Sequence, residues 1–223
     1  MLLIPPFALL DRWLARSAAD SAVLLNFHYD DVLEVLSRLL LGVAVDETWY
    51  RAEYPAVLEF VALSPDETVS SHFRRHGYFE GRKPFADRWL GRRAPPPFAA
   101  LKVKMRLSIK RGHLDVRIER DAFMEFVGQI LGAMSVDEAW YRSTYTDSAQ
   151  SIDSGNFASA AEHFANRGYF DGLLPFDIDV DEDWYATRYS DVRDAMAAGL
   201  ATSAKDHFIR IGYRQGCRPI PPP

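Results

Sequence analysis

The acidic stretch DIDVDED, residues 177–183, carries residue types that could bind a metal ion. The spacing Asp177-x-Asp179 can hold a divalent cation, and the stretch is similar to the opening of a calcium-binding loop. However, no Gly stands at the sixth position of such a loop, and Arg188 replaces the closing Glu at the twelfth. We therefore predict a helix start at Asp181 with solvated acids before it, and a metal site as the alternative. We expect no metal and no cofactor.

Three histidines and one cysteine are the other candidates for chemistry. His72, His163 and His207 each follow an Asp–Glu pair, but at 25 residues' distance no metal-ligand spacing can be argued. We interpret each His as packed on an aromatic ring near a helix end. Cys217 lies between Arg214 and Arg218, which could lower its pKa, but no His partner is implied. We assign no catalytic residue.

A basic segment is the best candidate for binding. Residues 82–111 hold ten Lys or Arg and one acid, a net charge of +9, so the rest of the chain carries −14. Alternating apolar and polar residues around "RG" at 111–112 predict a β-hairpin over 101–119. The anion- or partner-binding candidates are Lys102, Lys104, Arg106, Lys110 and Arg111. The alternative is a solvated strand edge on which lysines discourage aggregation.

Composition limits the class of protein. Hydrophobic residues make up 48% of 223, enough for one large or two small packed cores. The single cysteine fits a reducing compartment, which we take to be the cytoplasm. The first residues lack a basic n-region and no apolar run is long enough to span a bilayer, so we expect a soluble protein. Phosphate-binding, nucleophile-elbow and zinc-protease motifs are absent from the sequence.

The chain repeats itself three times. VDETWY at 45–50, VDEAWY at 136–141 and VDEDWY at 180–185 superpose at shifts of 91 and 44 residues without a gap, and twelve columns are identical. We read the Asp as a helix N-cap and the Gly of each later H-F-x-x-x-G-Y as a left-handed helix stop. The predicted structural core is Trp49, Trp140, Trp184, Tyr50, Tyr141, Tyr185, Phe73, Phe164 and Phe208.

The 91-residue shift extends upstream of the motif. PPFA at 5–8 matches PPFA at 96–99, and two apolar stripes predict helices over 31–42 and 121–134. The fold class is therefore α+β and mainly helical, with three related units of about 44 residues, two of them preceded by a hairpin and an amphipathic helix. The predicted boundaries are lead segment 1–45, unit 46–91, lead segment 92–136, unit 137–177 and unit 178–223 with a Pro-rich tail. Residues 10–18 fit either a strand or a helix, and we favour the strand.

The unit resembles a repeat of bacterial exopolysaccharide and glycosyltransferase-associated proteins, of the form D-x-x-W-Y…H-F-x-x-x-G-Y-x-x-G-R-x-P. VDEDWYATRYSDV…DHFIRIGYRQGCRP and SHFRRHGYFEGRKP follow it closely, whereas the middle copy departs with YTDS and GLLP. The resemblance covers over half the chain and leaves out the hairpin segments. It implies a non-catalytic role in bacterial surface-glycan synthesis.

These observations lead to three hypotheses for function. We expect a non-enzymatic interaction or assembly module that binds a protein partner of a glycan-synthesis system and forms a homo-oligomer. The alternative is a carbohydrate- or anion-binding module that uses the aromatics and the basic hairpin, with an anionic glycan as ligand. A glycosyltransferase-like enzyme using DIDVD is the third. We expect neither a membrane span nor nucleic-acid binding.

Overall fold

The protein combines many short helices with one small sheet. The computed structural model describes residues 3–16, 23–87, 93–110 and 112–222. It is mainly helical with a three-stranded antiparallel sheet, so the predicted α+β class is confirmed. The chain forms two compact units, named here the sheet unit (mainly Trp13–Ser135) and the helical unit (Pro5–Arg12 with Val136–Pro223). The boundary falls within the first helix, α1 (Phe7–Arg16).

Within its described residues, the sheet unit contains the three strands and six helices beside α1. In chain order they are β1 Leu24–His28, α2 Tyr29–Leu39 with a 3-10 turn Leu40–Gly42, α3 Glu47–Glu53, α4 Ala56–Leu63, α5 Val69–His72 continuing into a π-helical turn Phe73–Gly77, α6 Phe98–Lys102, β2 Arg106–Lys110, β3 His113–Glu119 and α7 Arg120–Gly132. The helices predicted over 31–42 and 121–134 are confirmed as α2 with its 3-10 turn and as α7.

The sheet has the order β1-β3-β2, and both pairings are antiparallel. Leu25 pairs with Ile118 and Phe27 with Val116. Since the 91-residue shift aligns Leu25 with Val116 and Phe27 with Ile118, β1 and β3 are related by a local two-fold. All four side chains are buried, and they form the core together with the apolar faces of α2 and α7.

The structure corrects both predicted hairpins. Residues 7–16 are helical, so the strand favoured over residues 10–18 is wrong as far as Arg16, and residues 17 and 18 lie outside the described residues. The described part of the first lead segment contributes one strand. The second hairpin is shorter than 101–119, because Phe98–Lys102 forms α6 and β2 begins at Arg106. In both segments a Pro-Pro pair precedes the helix; a fixed φ near −65° favours a helical first turn over a strand.

The helical unit contains the second and third copies of the motif. Its helices are α8 Glu138–Thr144, α9 Thr146–Asp153, α10 Ala160–His163 continuing into a π-helical turn Phe164–Gly168, α11 Glu182–Arg188, α12 Asp191–Ala197, α13 Ala204–His207 continuing into a π-helical turn Phe208–Gly212, and α14 Tyr213–Gln215. We call residues 46–84, 137–175 and 181–219 the first, second and third motif segments.

Each motif segment begins and ends at the same place. The predicted Asp caps are confirmed: Asp46, Asp137 and Asp181 each accept the Trp backbone N–H three residues on, at 3.0 Å. The backbone N–H of each Asp donates in turn to the carbonyl of the segment's last Pro, at 2.9–3.0 Å. The N-cap Asp therefore contacts both the first helix and the last residue of each 39-residue segment.

A tyrosine hydroxyl in the core of each segment occupies the space next to a glycine. Tyr50, Tyr141 and Tyr185 are fully buried, and a Cβ added at Gly77, Gly168 or Gly212 would overlap the corresponding hydroxyl oxygen. These glycines have helical φ and lie at the end of the π-helical turns, so the predicted left-handed role is wrong for them. The left-handed residues are instead Gly81, Gly172 and Gly216.

We expect Gly77→Ala to destabilise the protein by about 1–3 kcal/mol, because the new methyl group cannot fit beside the Tyr50 hydroxyl. Urea unfolding measures the free energy. In Gly77→Ala/Tyr50→Phe the overlap is removed, so the double variant should be less destabilised than the sum of the single ones. Gly128→Ala in α7, where no atom lies within 4 Å of the added Cβ, is the control and should stabilise by about 0.5–1 kcal/mol. If the losses in free energy of unfolding of Gly77→Ala and Tyr50→Phe simply add in the double variant, the proposed overlap is contradicted.

Candidate functional site

The three histidines are buried partners of the core tyrosines. His72, His163 and His207 are 3%, 3% and 1% exposed, so they lie inside the segments rather than in a cleft. Their Nδ1 atoms lie 3.3, 2.9 and 3.1 Å from the hydroxyls of Tyr50, Tyr141 and Tyr185. The packing on a tyrosine predicted from the sequence is therefore found.

The tyrosine and histidine hold their neutral forms in this pair. Burial raises the pKa of Tyr50 to about 12, while the nearby Arg82 acts in the opposite direction. Burial also lowers the pKa of His72 and of His163, and the cations Arg82 and Arg167 lower them further. A neutral imidazole can accept the tyrosine proton at Nδ1, whereas an imidazolium cannot. Burial therefore favours the neutral form of both partners in this packing contact.

Two carboxylates of the acidic stretch already bind other groups of the protein. Asp177 forms an ion pair with Lys205 at 2.8 Å, and Asp181 is the N-cap of α11. Asp179 is exposed. Across the described residues, no group of three or more His, Cys, Asp or Glu is arranged to hold a metal ion.

The cysteine has the character of an unreactive thiol. Burial raises the pKa of Cys217 most strongly; the hydrogen bond with Tyr185 lowers it, Asp191 raises it, and Tyr189 and Arg188 lower it by less. The arginines on either side of it in the sequence do not produce the lowered pKa that their proximity could have caused. At neutral pH the group therefore stays protonated and poorly nucleophilic.

The basic candidates do not form one strand face. Lys102 lies at the end of α6 with its ammonium 5.1 Å from the centre of the Phe98 ring. Lys104 precedes β2 and forms an ion pair with Glu125 of α7 at 2.9 Å. Arg106 and Lys110 are on β2, and Arg111 lies outside the described residues. The predicted hairpin over 101–119 therefore does not carry all five candidates, because the chain is helical up to Lys102 and β2 begins at Arg106.

A cation that the sequence analysis did not include joins the remaining two. The register places Arg117 of β3 directly opposite Arg106, and Arg117 donates to the side-chain oxygen of Asn26 at 3.1 Å. Asp115 on the same strand is held by His28 at 3.0 Å. Arg117 could be identified as a member of this cation group only from the strand register, because its position in the sequence does not specify its cross-strand partner. The polar face of the hairpin thus presents Arg106, Arg117 and Lys110.

The three tryptophans are half-buried, and are thus less buried than the other residues of the predicted structural core. Trp49, Trp140 and Trp184 have intermediate exposure, whereas the tyrosines that follow them and Phe73, Phe164 and Phe208 are fully buried. Each Trp packs edge-to-face on the tyrosine five residues on, with ring centres 5.7–6.2 Å apart. One side of every indole therefore faces outwards.

Apolar side chains also remain exposed on two elements of the sheet unit. On the hairpin, Leu107 and Ile109 are 55% and 79% exposed and Leu114 is 37% exposed. On α4, Leu58, Phe60 and Leu63 are exposed. Val103, which precedes β2, is 83% exposed.

No protein-family model, curated protein or solved structure matches the chain. Among the described helices, none has the length and apolar character that crossing a bilayer requires.

We expect stability to fall as the pH is lowered from 7.5 to 5.5. The folded-state pKa of His72 and of His163 lies below the unfolded value of about 6.5, so the unfolded chain binds more protons in this range. The contribution of these two histidines to the free energy of unfolding is present above about pH 6.5 and is lost as the pH falls towards their folded-state pKa. Urea unfolding at several pH values measures it. His72→Gln/His163→Gln should flatten the dependence, and an unchanged slope would assign it to other groups.

We expect no tight metal binding at Asp177, Asp179 and Asp181, because two of the three carboxylates already have protein partners. Calorimetry with calcium, magnesium and manganese should show no site tighter than about millimolar. A micromolar isotherm that disappears in Asp179→Ala would overturn this expectation and support the enzyme hypothesis.

Proposed function

We propose that the chain is a tandem duplication of 91 residues with a third copy of the motif segment added. The recurrence of the same contacts supports this proposal. In each segment an Asp caps the first helix, the last Pro accepts that residue's N–H, and a tyrosine hydroxyl meets both a histidine and a glycine. Each segment is thereby a small packing unit whose first and last residues are joined by a backbone hydrogen bond.

We further propose that the protein is a non-catalytic assembly module of bacterial surface-glycan synthesis that acts in the cytoplasm. The observation that carries this proposal is where the reactive side chains lie. The three motif histidines are buried, Asp177 forms an ion pair and Asp181 caps a helix, while Cys217 is half-buried with a raised pKa. The outward surfaces instead carry apolar and charged residues suited to binding a partner.

The alternative is a carbohydrate- or anion-binding module. Two observations favour it: the half-exposed indoles offer aromatic faces, and Arg106, Arg117 and Lys110 share the polar face of the hairpin. Arg106 and Lys110 make no ion pair with any described residue, so they are available to a negatively charged glycan. A glycosyltransferase-like activity has the least support, because Asp177 and Asp181 already have protein partners.

Deletion of the gene in its bacterium should lower the amount of surface polysaccharide, and complementation should separate the three functions. We expect Asp179→Ala to restore the polysaccharide fully, because an assembly role requires no carboxylate there. The purified protein should also leave sugar nucleotides unchanged. Turnover of a sugar nucleotide, abolished in Asp179→Ala, would contradict the proposal.

The binding alternative is tested in the same strain. Arg106→Ala/Lys110→Ala should complement like the wild type if the protein acts by assembly. Failure to complement, together with lost binding of the purified anionic glycan in a pull-down, would favour the glycan-binding function instead. Gln150→Ala on exposed α9 serves as the matched surface control.

A further inference from the structure

One face of the three-stranded sheet packs on α2 and α7, and the other face, named here the open sheet face, lies in solvent. It carries the side chains that alternate along the strands with the buried ones, and the strand register arranges them in three rows. The first row is Asn26, Arg117 and Arg106, the second is His28, Asp115 and Ser108, and the third is His113 and Lys110. All of them are exposed except Asp115, which is half-buried.

The first row places two arginines directly opposite each other. Arg106 of β2 pairs with Arg117 of β3, and the β-carbons of residues that are opposite in an antiparallel pair lie about 4.5–5.5 Å apart. Like charges at this spacing destabilise a sheet, whereas a solvated face requires only polar side chains. The fold does not require the second cation either, since β1 has Asn26 at the position that the 91-residue shift aligns with Arg117.

Protection of a strand edge does not account for this pair. Cations on an edge strand discourage aggregation, which fits Arg106 on β2, but Arg117 lies on the central strand. Arg117 donates through Nε to the side-chain oxygen of Asn26 at 3.1 Å, and this bond orients its guanidinium group. Neither arginine forms an ion pair within the part of the chain that the structure describes. The two groups are therefore available to an oxyanion, which guanidinium forks bind well.

The acids of the open sheet face do not neutralise the arginines. Asp115 is held by His28, with 3.0 Å between its Oδ1 and the imidazole Nδ1. Glu119 lies one row beyond the arginines, opposite Leu24, and forms no ion pair with a described residue. Together with Ser108, the middle row offers a hydroxyl, an imidazole and a carboxylate, which form hydrogen bonds with neutral hydroxyl groups. Its negative charge repels an anion placed there.

Lys110 supplies a further cation at the other end of the same face. It lies opposite His113 and forms no ion pair with a described residue. This row is four residues from the arginine row on each strand, a distance of about 13 Å at 3.3 Å per residue. The open sheet face therefore has cations at both ends and groups that bind hydroxyls between them.

We propose that the open sheet face binds an acidic polysaccharide in which charged and neutral sugars alternate, which rests on the proposed glycan-binding function. One carboxylate lies between Arg106 and Arg117 and another at Lys110, while the hydroxyls of the neutral sugar contact the middle row. Nucleic acid fits this face less well, because its dense charge, about one per 1.7 Å of duplex, places phosphates on Asp115. The net charge of −5 also disfavours it.

The test uses oligosaccharides of increasing length in which glucuronic acid alternates with N-acetylglucosamine. Calorimetry should show that the disaccharide, which has one carboxylate, binds about ten-fold more weakly than oligosaccharides that reach both cationic rows. Added salt should weaken the binding of the longer oligosaccharides, because the contacts are ionic. A disaccharide that binds as tightly as the longest oligosaccharide, or no binding at any length, would overturn the proposal.

Substitutions at the two ends of the face separate binding from folding. Arg106→Gln should weaken binding about ten-fold without lowering the urea midpoint, because it removes a charge that repels Arg117. Lys110→Gln should weaken the long oligosaccharides and leave the disaccharide unaffected. Arg193→Gln on α12, an exposed cation without an ion pair among the described residues, is the matched control and should bind like the wild type. Wild-type affinity in Arg106→Gln would contradict the site.

Denser polyanions test the spacing of the charges. A polymer in which every sugar is a uronic acid and single-stranded DNA should both bind the wild type more weakly than the alternating polymer. Asp115→Asn should reduce this difference, because the charge that repels an anion in the middle row is removed. If DNA binds more tightly than the alternating oligosaccharides, the face is a nucleic-acid site and the proposed ligand is wrong.

Complementation distinguishes this site from the proposed functions. If the purified protein binds the oligosaccharides but deletion of the gene leaves the surface polysaccharide unchanged, the site is supported and the role in glycan synthesis is wrong. If deletion lowers the polysaccharide while no oligosaccharide binds, the site is wrong and the assembly role stands. If Arg106→Gln loses both binding and complementation, the site and the glycan-binding function are supported together.

Discussion

Each motif segment depends on one contact, the buried tyrosine hydroxyl placed between a histidine and a glycine. In the first segment the N–H of Tyr78 donates to the carbonyl of Phe73, five residues back, which widens the helix into a π-turn at this point. The turn places Gly77 over the Tyr50 hydroxyl, where a side chain would have no room. The remaining contacts serve this arrangement, because the Asp cap fixes where the helix of Tyr50 begins and the last Pro holds that cap in place.

A second tyrosine in each of the first two motif segments donates a hydrogen bond to a proline of a lead segment. In the sheet unit the Tyr78 hydroxyl donates to the carbonyl of Pro96 at 2.7 Å, and in the helical unit the Tyr169 hydroxyl donates to that of Pro5 at 3.0 Å. The two PPFA strings are thus used in the same way, although one follows its tyrosine by 18 residues and the other precedes it by 164. Sequence identity reveals the pair of strings. It does not reveal which tyrosine each one contacts, since that choice is made by the tertiary fold.

What the sequence predicts well here is local, and what it misses depends on neighbours distant in the chain. The three Asp caps and the apolar stripes of α2 and α7 follow from spacing within a few residues, and their prediction is confirmed. Alternation over 101–105 indicated a strand, but two prolines and the burial of Leu101 produce a helix instead. The invariant Gly77 was assigned a left-handed conformation, because the tyrosine that excludes its side chain lies 27 residues earlier. The candidate cations Lys102 and Arg106 likewise lie on different elements, because the helix that ends at Lys102 was not predicted.

The same constraint explains how the segments can differ on their outer surfaces. The contacts that hold a segment together point inwards, so substitutions on the solvent side of its second helix leave them intact. Between α4 and α9 the outer positions change from Leu and Phe to Ala and Ser while the inner contacts persist. Three scaffolds of one design can therefore present three different surfaces. In a protein built in this way, the exposed side chains of the second helix can vary without disturbing the contacts that hold the segment together.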